Sequence, residues 1–330
     1  MAQLVTAEGP ILDQILSETY EIWHQDLSRA AYGRWYAAQI ATAWGGGHLH
    51  LLALVDRDEV LASAKLYLFD ATLDARPIRV AGIGAVFTPP ARRGRGAARA
   101  LMDHVLERAA ADGADLALLF SEIGPGYYAR LGFLAIATTD RRLRVAESDR
   151  RGAPAIMVRG GDDRDLADIA AMGRTRAAPY RFHLDRDRDL IHFSIARNRL
   201  LAGLGSPGAR QLQFFIAEEG AAAAAYIVIS VRGHDAGAAG AVWTIEEAGD
   251  RDPSGARVGA IVQALIAREP ADERPSISAW LPAWFLPSQI TVIGGQPSAE
   301  VMMVRPLTSR GTPSSPLTEA DVLYWHGDLF

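Results

Sequence analysis

The feature that most constrains the fold of this 330-residue chain is a strand-like segment that runs through two prolines and a glycine-arginine loop into a helix-like segment. It covers residues 82–102, with the sequence GIGAVFTPPARRGRGAARALM. Pro89 and Pro90 end the strand, because a proline has no N–H to donate to a sheet. The helix that follows, over about residues 96–112, begins with N–H groups that have no partners within the helix and lie at the positive end of its dipole. Because glycines let a bulky anion approach the main chain, the segment predicts an anion-binding site suited to a pyrophosphate.

The loop differs from the two commonest phosphate-binding motifs. It lacks the Gly-Lys-Ser/Thr ending of a nucleoside-triphosphate loop. The dinucleotide-binding motif is also broken, because Arg99 stands where a third glycine is required after Gly94-x-Gly96. What remains is the pattern Arg93-x-x-Gly96-x-Ala98 at the junction of a strand and a helix.

The elements around this loop alternate as in an α/β fold. Apolar spacing predicts, in chain order, two helices over 10–43, strands at 49–55, 60–69 and 78–87, the helix at 96–112, a strand at 115–120, a short helix at 127–131 and a strand at 133–137. Three glycines at 45–47 are expected to break the chain. The second half repeats this element order with very weak sequence similarity, which predicts two domains, 1–148 and 149–330, each built around one sheet.

Composition excludes several classes of protein. With 49% hydrophobic and 22% charged residues the chain is expected to fold. It has no cysteine, which excludes disulfides, zinc–thiolate sites, iron–sulfur clusters and a thiol nucleophile. A net charge of −5 is a poor starting point for nucleic-acid binding. The longest apolar run, near residues 221–231, is too short to span a bilayer and no signal peptide is visible, so we expect a soluble cytoplasmic protein.

Two motifs together resemble those of the GCN5-related N-acetyltransferase (GNAT) superfamily. Arg93-x-x-Gly96-x-Ala98 is similar to its coenzyme A pyrophosphate motif, as is the strand that precedes it, Val86-Phe87-Thr88. The later segment from Tyr128 to Phe133, YARLGF, resembles the tyrosine, helix and Gly-Phe segment of the same superfamily, in the expected order. The resemblance covers residues 1–145 well and the second half in outline.

This resemblance implies the GNAT fold, a mixed central sheet flanked by helices, in two tandem domains of which the second is degenerate. The nearest likeness is to the fungal lysine N6-acetyltransferase group and to the enhanced-intracellular-survival type of aminoglycoside acetyltransferase. Both groups carry further domains after the catalytic one. The present sequence departs from the latter in the longer spacing between Glu122 and Tyr128.

The resemblance also implies how acetyl-CoA, the expected co-substrate, is bound without a metal. Main-chain groups of Val86, Phe87 and Thr88 are expected to pair with the pantetheine arm as if it were an added strand. The N–H groups of the loop are expected to bind the pyrophosphate; they belong to Arg93, Gly94, Arg95, Gly96, Ala97 and Ala98. Positive charge is expected from Arg92, Arg95 and Arg99, and Ser121 is assigned to the same cofactor-binding set. The alternative for the arginines is a solvated loop.

The implied reaction is direct attack of a neutral amine on the acetyl thioester. Tyr128 matches the family position for the acid that protonates the leaving thiolate, and Tyr127 is its competitor. Glu122 is the candidate base, directly or through water, and the carboxylate of Phe330 is the second candidate, with Asp328 and His326 close to it in the sequence. A packing role for Tyr128 and a surface or capping role for Glu122 are the alternatives.

Other polar and aromatic residues are expected to be structural. Trp280, Trp284 and Phe285 are expected in the core of the second half, with an acceptor pocket as the alternative. The eight histidines show no metal spacing, and His48-x-His50 is expected to be structural.

The second half lacks a matching loop. At residues 250–259 it reads DRDPSGARVG, whose acidic residues would repel a pyrophosphate. We therefore expect one working site, with the second half forming part of the acceptor site or stiffening the first domain.

These inferences predict an N-acetyltransferase that acts on a primary amine of a small molecule, an amino acid such as lysine or an aminoglycoside-like amine. The alternatives are a protein N-acetyltransferase and a non-catalytic acyl-CoA-binding sensor. We expect no nucleic-acid or membrane partner, and a homodimer is compatible with the sequence.

Overall fold

The computed structural model describes residues 2–57, 59–146, 157–233, 241–269, 274–281 and 285–330. In these ranges the chain forms eight α-helices and two mixed sheets, one of nine strands and one of seven. The helices are α1 (Gly9–Trp23), α2 (Arg29–Ile40), α3 (Ala43–His48), α4 (Ala97–Ala111), α5 (Gly126–Ala129), α6 (Leu166–Ala177), α7 (Arg188–Leu204) and α8 (Ala256–Ile266). The strands are β1 (Gln3–Thr6), β2 (Leu49–Asp56), β3 (Glu59–Leu73), β4 (Arg76–Phe87), β5 (Leu116–Ser121), β6 (Leu134–Ile136), β7 (Thr139–Val145), β8 (Met157–Gly160), β9 (Phe182–Leu184), β10 (Arg210–Glu219), β11 (Ala222–Arg232), β12 (Val242–Asp250), β13 (Ser276–Ala279), β14 (Ile290–Pro297), β15 (Val301–Pro306) and β16 (Val322–Leu323).

The first sheet has the strand order β1-β2-β3-β4-β5-β15-β6, with β9 pairing with β3 and β16. Its two faces carry different helices because successive side chains of a strand point to opposite sides. Ala64 and Leu66 of β3 lie in the buried cluster that contains Leu101 and Val105 of α4. Tyr67 lies on the other face, in the cluster that contains residues of α3 and α7. Helix α4 therefore covers one face of this sheet, and helices from both halves of the chain cover the other.

The second sheet repeats the plan of the first. Its order is β14-β7-β13-β12-β11-β10-β8. Three antiparallel strands, β10 to β12, are followed by helix α8 and then by β13, which is parallel to β12. The first sheet has the same sequence of elements in β2 to β4, α4 and β5. The mixed α/β architecture in two similar units is therefore confirmed.

The two sheets exchange strands. Strand β7 lies between β13 and β14 of the second sheet, although it precedes residue 148. Strand β15 lies between β5 and β6 of the first sheet, although it comes from the far end of the chain. The division into domains 1–148 and 149–330 stays a prediction, but the sheets themselves do not divide at that position.

The three glycines at 45–47 were expected to break the chain, and this expectation is wrong. They lie inside helix α3, whose first turn is capped by Thr42 Oγ1 accepting the N–H of Gly45 at 2.9 Å. A Cβ on Gly45 would overlap the carbonyl oxygen of Gln39, so the glycine allows α3 to pack against the end of α2. None of the helices in the ranges given above is long and apolar enough to cross a membrane.

Candidate active site

The site is built around a wedge between strands β4 and β5. The two strands pair in parallel only over residues 80–82 and 116–118. Beyond Gly82 they separate, and β4 contains a bulge where Ala85 adopts a φ of 48°. Bulges are common next to functional sites because they redirect a strand edge. Within the described ranges no strand pairs with Val86 and Phe87 on the side facing β5, so their main chain is an open edge to which an extended ligand can be added.

The predicted anion site lies at the end of this edge. Gly94 and Gly96 have φ values of 74° and 82°, in the left-handed region that favours glycine. Helix α4 begins at Ala97 with no side-chain cap and no acidic residue in its first turn. Among the described contacts, no N–H group of residues 94–98 donates a hydrogen bond. The structure therefore forms the row of free donors that the sequence predicted for a pyrophosphate.

The arginines around the loop differ in their availability. Arg92 forms an ion pair with Glu59, and Arg93 Nε donates to the carbonyl oxygen of Thr88 at 3.1 Å. Arg99 lies 3.6 Å from Asp103 on the surface of α4. Arg95 makes no polar contact with the described part of the chain. Arg93 therefore fixes the loop to the end of β4, and Arg95 is the cation most available to a ligand.

A cavity of about 360 Å³ lies beside the wedge. Val86, Ser121, Glu122 and Tyr128 line it from the first half. The second half contributes Arg197, Asn198, Leu201, Arg210, Arg232, Glu246, Glu300, His326, Leu329 and Phe330. Residues from both halves thus enclose one space next to the predicted coenzyme site.

Tyr128 lies on the short helix α5, and its side chain is buried. Burial, with smaller contributions from the neighbouring Tyr127 and Glu122, raises the pKa of Tyr128 to about 12. Its hydroxyl makes no hydrogen bond among the described residues and stays protonated at neutral pH, as a proton donor requires. Tyr127, packed edge-to-face on Tyr128 at 5.0 Å, is not among the residues lining the cavity.

Two further predicted site residues lie at the end of β5, where Ser121 is the last residue of the strand and Glu122 follows it. Glu122 is exposed at the cavity wall, where its carboxylate is open to a ligand or to water. Ser121 is buried, and its hydroxyl donates to the carbonyl oxygen of Gly124 at 2.6 Å. That bond shapes the turn carrying Glu122 and uses the one proton of the serine hydroxyl. The coenzyme role of Ser121 stays a prediction.

The last residues of the chain reach into the cavity. The ring of Phe330 packs against Tyr67 and Phe120, with ring centroids 4.8 and 5.6 Å apart. A Cβ added to Gly84 would lie 3.0 Å from the main-chain carbonyl carbon and oxygen of Phe330. Strand β4 therefore approaches Phe330 at a position where only glycine leaves full room.

A turn at His326–Asp328 anchors this end to the second half. Arg186 forms ion pairs with Asp328, at 3.0 Å, and with Glu247. Burial raises the pKa of Asp328 to about 6, against the opposing effect of Arg186. His326 bonds to Glu246 at 2.9 Å and lines the cavity, whereas Asp328 is not among the lining residues. Of the three candidates near the end of the chain, the structure brings His326 and Phe330 to the cavity.

Those residues expected to be structural that the structure describes pack against other side chains. Trp280 donates a hydrogen bond to Asp140 and lies in a cluster containing residues of the first sheet, so it joins the two halves. Phe285 is fully buried in the core of the second half, and Trp284 lies outside the described residues. The ring of His48 stacks on Trp44 at 4.9 Å. Across the described residues no group of three or more histidines or acids is arranged to hold a metal ion.

The position in the second half that corresponds to the anion site is filled from within the chain. Asp250 accepts the N–H of Arg257 at 2.8 Å and of Val258 at 3.3 Å, and it pairs with the Arg257 guanidinium at 3.0 Å. A Cβ on Gly255, before the first turn of α8, would lie 2.5 Å from Phe285. The first turn of α8 thus binds a carboxylate of its own chain, where α4 has free donors.

Comparisons with known proteins agree with this architecture. Residues 19–136 match the family model described as an acetyltransferase (GNAT) domain. A search among curated proteins finds no significant match. Among solved structures, a GCN5-related N-acetyltransferase from Kribbella flavida is 20% identical with a TM-score of 0.64, covering 93% of this chain and 71% of that chain. Eis1 from Mycobacterium abscessus is 15% identical with a TM-score of 0.55, covering 93% and 74%. An N-myristoyltransferase with bound myristoyl-CoA from Saccharomyces cerevisiae is 8% identical with a TM-score of 0.58, covering 96% and 80%.

The wedge and the glycine loop, together with these comparisons, give the chain the fold of the GNAT acyltransferases. Residues 19–136 match a GNAT-domain model, so the resemblance found in the sequence is confirmed for this part of the chain. Sequence reasoning missed several residues of the cavity wall, among them Gln39, Arg197 and Lys65. The signal for Lys65 was that the chain contains no other lysine.

Proposed function

We propose that this protein transfers the acetyl group of acetyl-CoA directly to a primary amine of a small molecule. The observation that carries the proposal is the continuity of three features. The free N–H groups at the start of α4 lead along the open edge of β4 to a cavity that contains both Tyr128 and Glu122.

The coenzyme would be bound by the chain's own main-chain groups. The N–H groups of residues 94–98 would bind the pyrophosphate, with Arg95 adding charge. The open edge at Val86, Phe87 and Thr88 would pair with the pantetheine arm. This arrangement directs the thioester toward the cavity.

The chemistry needs one acid and one base. The amine nitrogen attacks the thioester carbonyl carbon, and the tetrahedral intermediate collapses as the carbon–sulfur bond breaks. The Tyr128 hydroxyl gives its proton to the leaving sulfur. Glu122 accepts the proton lost by the amine, directly or through water, and the Phe330 carboxylate is the alternative base. Because the chain has no cysteine, no acyl-cysteine intermediate can form.

The size of the cavity supports a short acyl group and a small acceptor. The Phe330 ring packs against Tyr67, Phe69 and Phe120 beside the wedge, which leaves little room there for a long acyl chain. The end of the chain and helix α7 form part of the cavity wall, which favours a small amine over a folded protein.

The test is a panel of amines with acetyl-CoA, read by release of free thiol, together with two matched variants. Tyr128→Phe should lower kcat by about 100-fold or more, since a positioned acid typically contributes 10²–10⁴-fold. Tyr127→Phe should leave kcat within a few-fold. Equal activity of both variants would remove the assigned acid. Acetyl-CoA binding without thiol release for any amine would favour a sensor, and turnover with peptides alone would favour a protein acetyltransferase.

A further inference from the structure

Lys65 is an unneutralised cation on the wall of the cavity. It lies on β3 directly opposite Gly84 of β4, so its side chain leaves the sheet on the face against which Phe330 packs. Its ammonium lies 5.6 Å from the ring centroid of Trp35 and 5.7 Å from that of Tyr36. Within the described residues no carboxylate lies within ion-pair distance of it.

A second cation faces Lys65 from the other half of the chain. Arg197 of α7 lines the same cavity and donates to the carbonyl oxygen of Gly327 at 2.9 Å. Burial, with a further contribution from Arg197, lowers the pKa of Lys65 to about 8, so its ammonium is charged at neutral pH. Two like charges in a partly buried cavity are unfavourable without an anion between them.

An acidic side chain that lines the cavity from the second half, Glu246, is already engaged. Glu246 accepts hydrogen bonds from Ser230 and His326, which hold its carboxylate in the second sheet. A neighbouring polar atom also lacks a partner. Gln39 is 1% exposed and lines the cavity, and its Oε1 accepts no hydrogen bond from any described residue. The wall therefore offers two positive charges and one free acceptor to a ligand.

We propose that this wall, formed by Lys65, Arg197 and Gln39, binds the carboxylate of an acceptor of the amino-acid type. The inference rests on the proposed function and specifies its substrate class. Lys65 and Arg197 attract the carboxylate, and Gln39 Oε1 accepts a hydrogen bond from an N–H group of the ligand beside it. The wall lacks the row of main-chain N–H groups that residues 94–98 present to a phosphate, so a carboxylate fits it better. An acceptor with several ammonium groups and no carboxylate is repelled by it.

Turnover of matched amines tests this assignment. Lysine is compared with 1,5-diaminopentane, which lacks the carboxylate, in the wild type, in Lys65→Met and in Lys65→Arg. Wild type should prefer lysine by about 10- to 100-fold in kcat/KM, the range expected for a charged hydrogen bond. K65M should lose this preference through a raised KM for lysine, without losing activity toward the diamine, and K65R should recover part of it. Preference for the diamine in the wild type would overturn the proposal.

Binding measured without turnover separates this inference from the proposed function. Titration calorimetry measures the affinity of wild type and of K65M for Nα-acetyl-lysine and for O-phosphoethanolamine. Thermal melting checks that each variant is folded. The N-acetyl amino acid should bind wild type at least 10-fold more tightly than K65M. When Arg95→Met, at the coenzyme loop, is added to both proteins, the difference in affinity between those with and without K65M should stay the same. Equal binding to wild type and K65M would refute the carboxylate site even if amines are acetylated. Preferential binding of the phosphate compound would reassign the wall to phosphate and also refute the proposal.

Discussion

The contact between Gly84 and Phe330 makes the first prediction. In Gly84→Ala the new Cβ would lie 3.0 Å from the carbonyl carbon, the carbonyl oxygen and Cδ2 of Phe330, several tenths of an ångström inside normal contact. Gly84 does not have a positive φ, so the substitution adds no main-chain strain. Overpacking of this kind costs about 1–3 kcal/mol. Because Phe330 must shift within the cavity, we also expect kcat/KM to fall by about 10- to 100-fold.

The assay pairs urea unfolding with steady-state kinetics. Gly33→Ala is the matched control, because a Cβ on Gly33 in helix α2 meets nothing within 4 Å. That change should raise the free energy of unfolding by about 0.5–1 kcal/mol. In the double variant Gly84→Ala with Phe330→Ala, the changes in the free energy of unfolding caused by the two substitutions should be non-additive, because the two residues are in contact. Wild-type stability and activity in Gly84→Ala would refute the position of Phe330 in the wedge.

Three further predictions follow from the loop, the second half and the end of the chain. Arg95→Ala should weaken coenzyme A binding in a titration. The difference in affinity from wild type should shrink as salt is added, because Arg95 is an exposed cation. An unchanged affinity at low salt would contradict its role. Asp250→Ala should lower the free energy of unfolding by about 1–2 kcal/mol, since the first N–H groups of α8 lose their acceptor while Arg257 keeps its ion pair with Glu219. Calorimetry should still count one coenzyme A per chain, and two equivalents would contradict a single site. Burial lowers the pKa of His326, but the bond to Glu246 and nearby carboxylates outweigh this effect and raise the pKa above 6.5. The difference in free energy of unfolding between wild type and His326→Gln should therefore be greatest below pH 6.5 and decline as the pH rises. A difference that grows with pH would refute the pairing.

The local signals in the sequence predicted much of the site. The positive φ of Gly94 and Gly96, the free start of α4 and the position of Tyr128 all follow from spacing that a short window contains. The strand exchange could not be predicted in this way, because β7 and β15 are short strands whose pairing depends on residues more than a hundred positions away. Periodicity indicates that a strand forms and says nothing about its neighbour.

The three glycines at 45–47 and Lys65 show the same limit. The glycines at 45–47 usually interrupt a helix, but a cap from Thr42 and the close approach of α2 hold them in one. Lys65 belongs to no sequence motif, because its proposed role depends on Arg197 and on the lack of a carboxylate within ion-pair distance in the part of the chain that the structure describes. Both depend on tertiary structure.

The position of β15 has a consequence for how the protein is made. Residues 301–306 fill the gap between β5 and β6, so the sheet that carries the candidate site lacks an interior strand until most of the chain has left the ribosome. Until then β5, whose side chains are almost all buried in the finished fold, has an unpaired edge open to other chains. A nascent chain that stalls before residue 301 should therefore be prone to aggregation and a ready client for chaperones. Expression of the first half alone would leave β5 without β15 permanently.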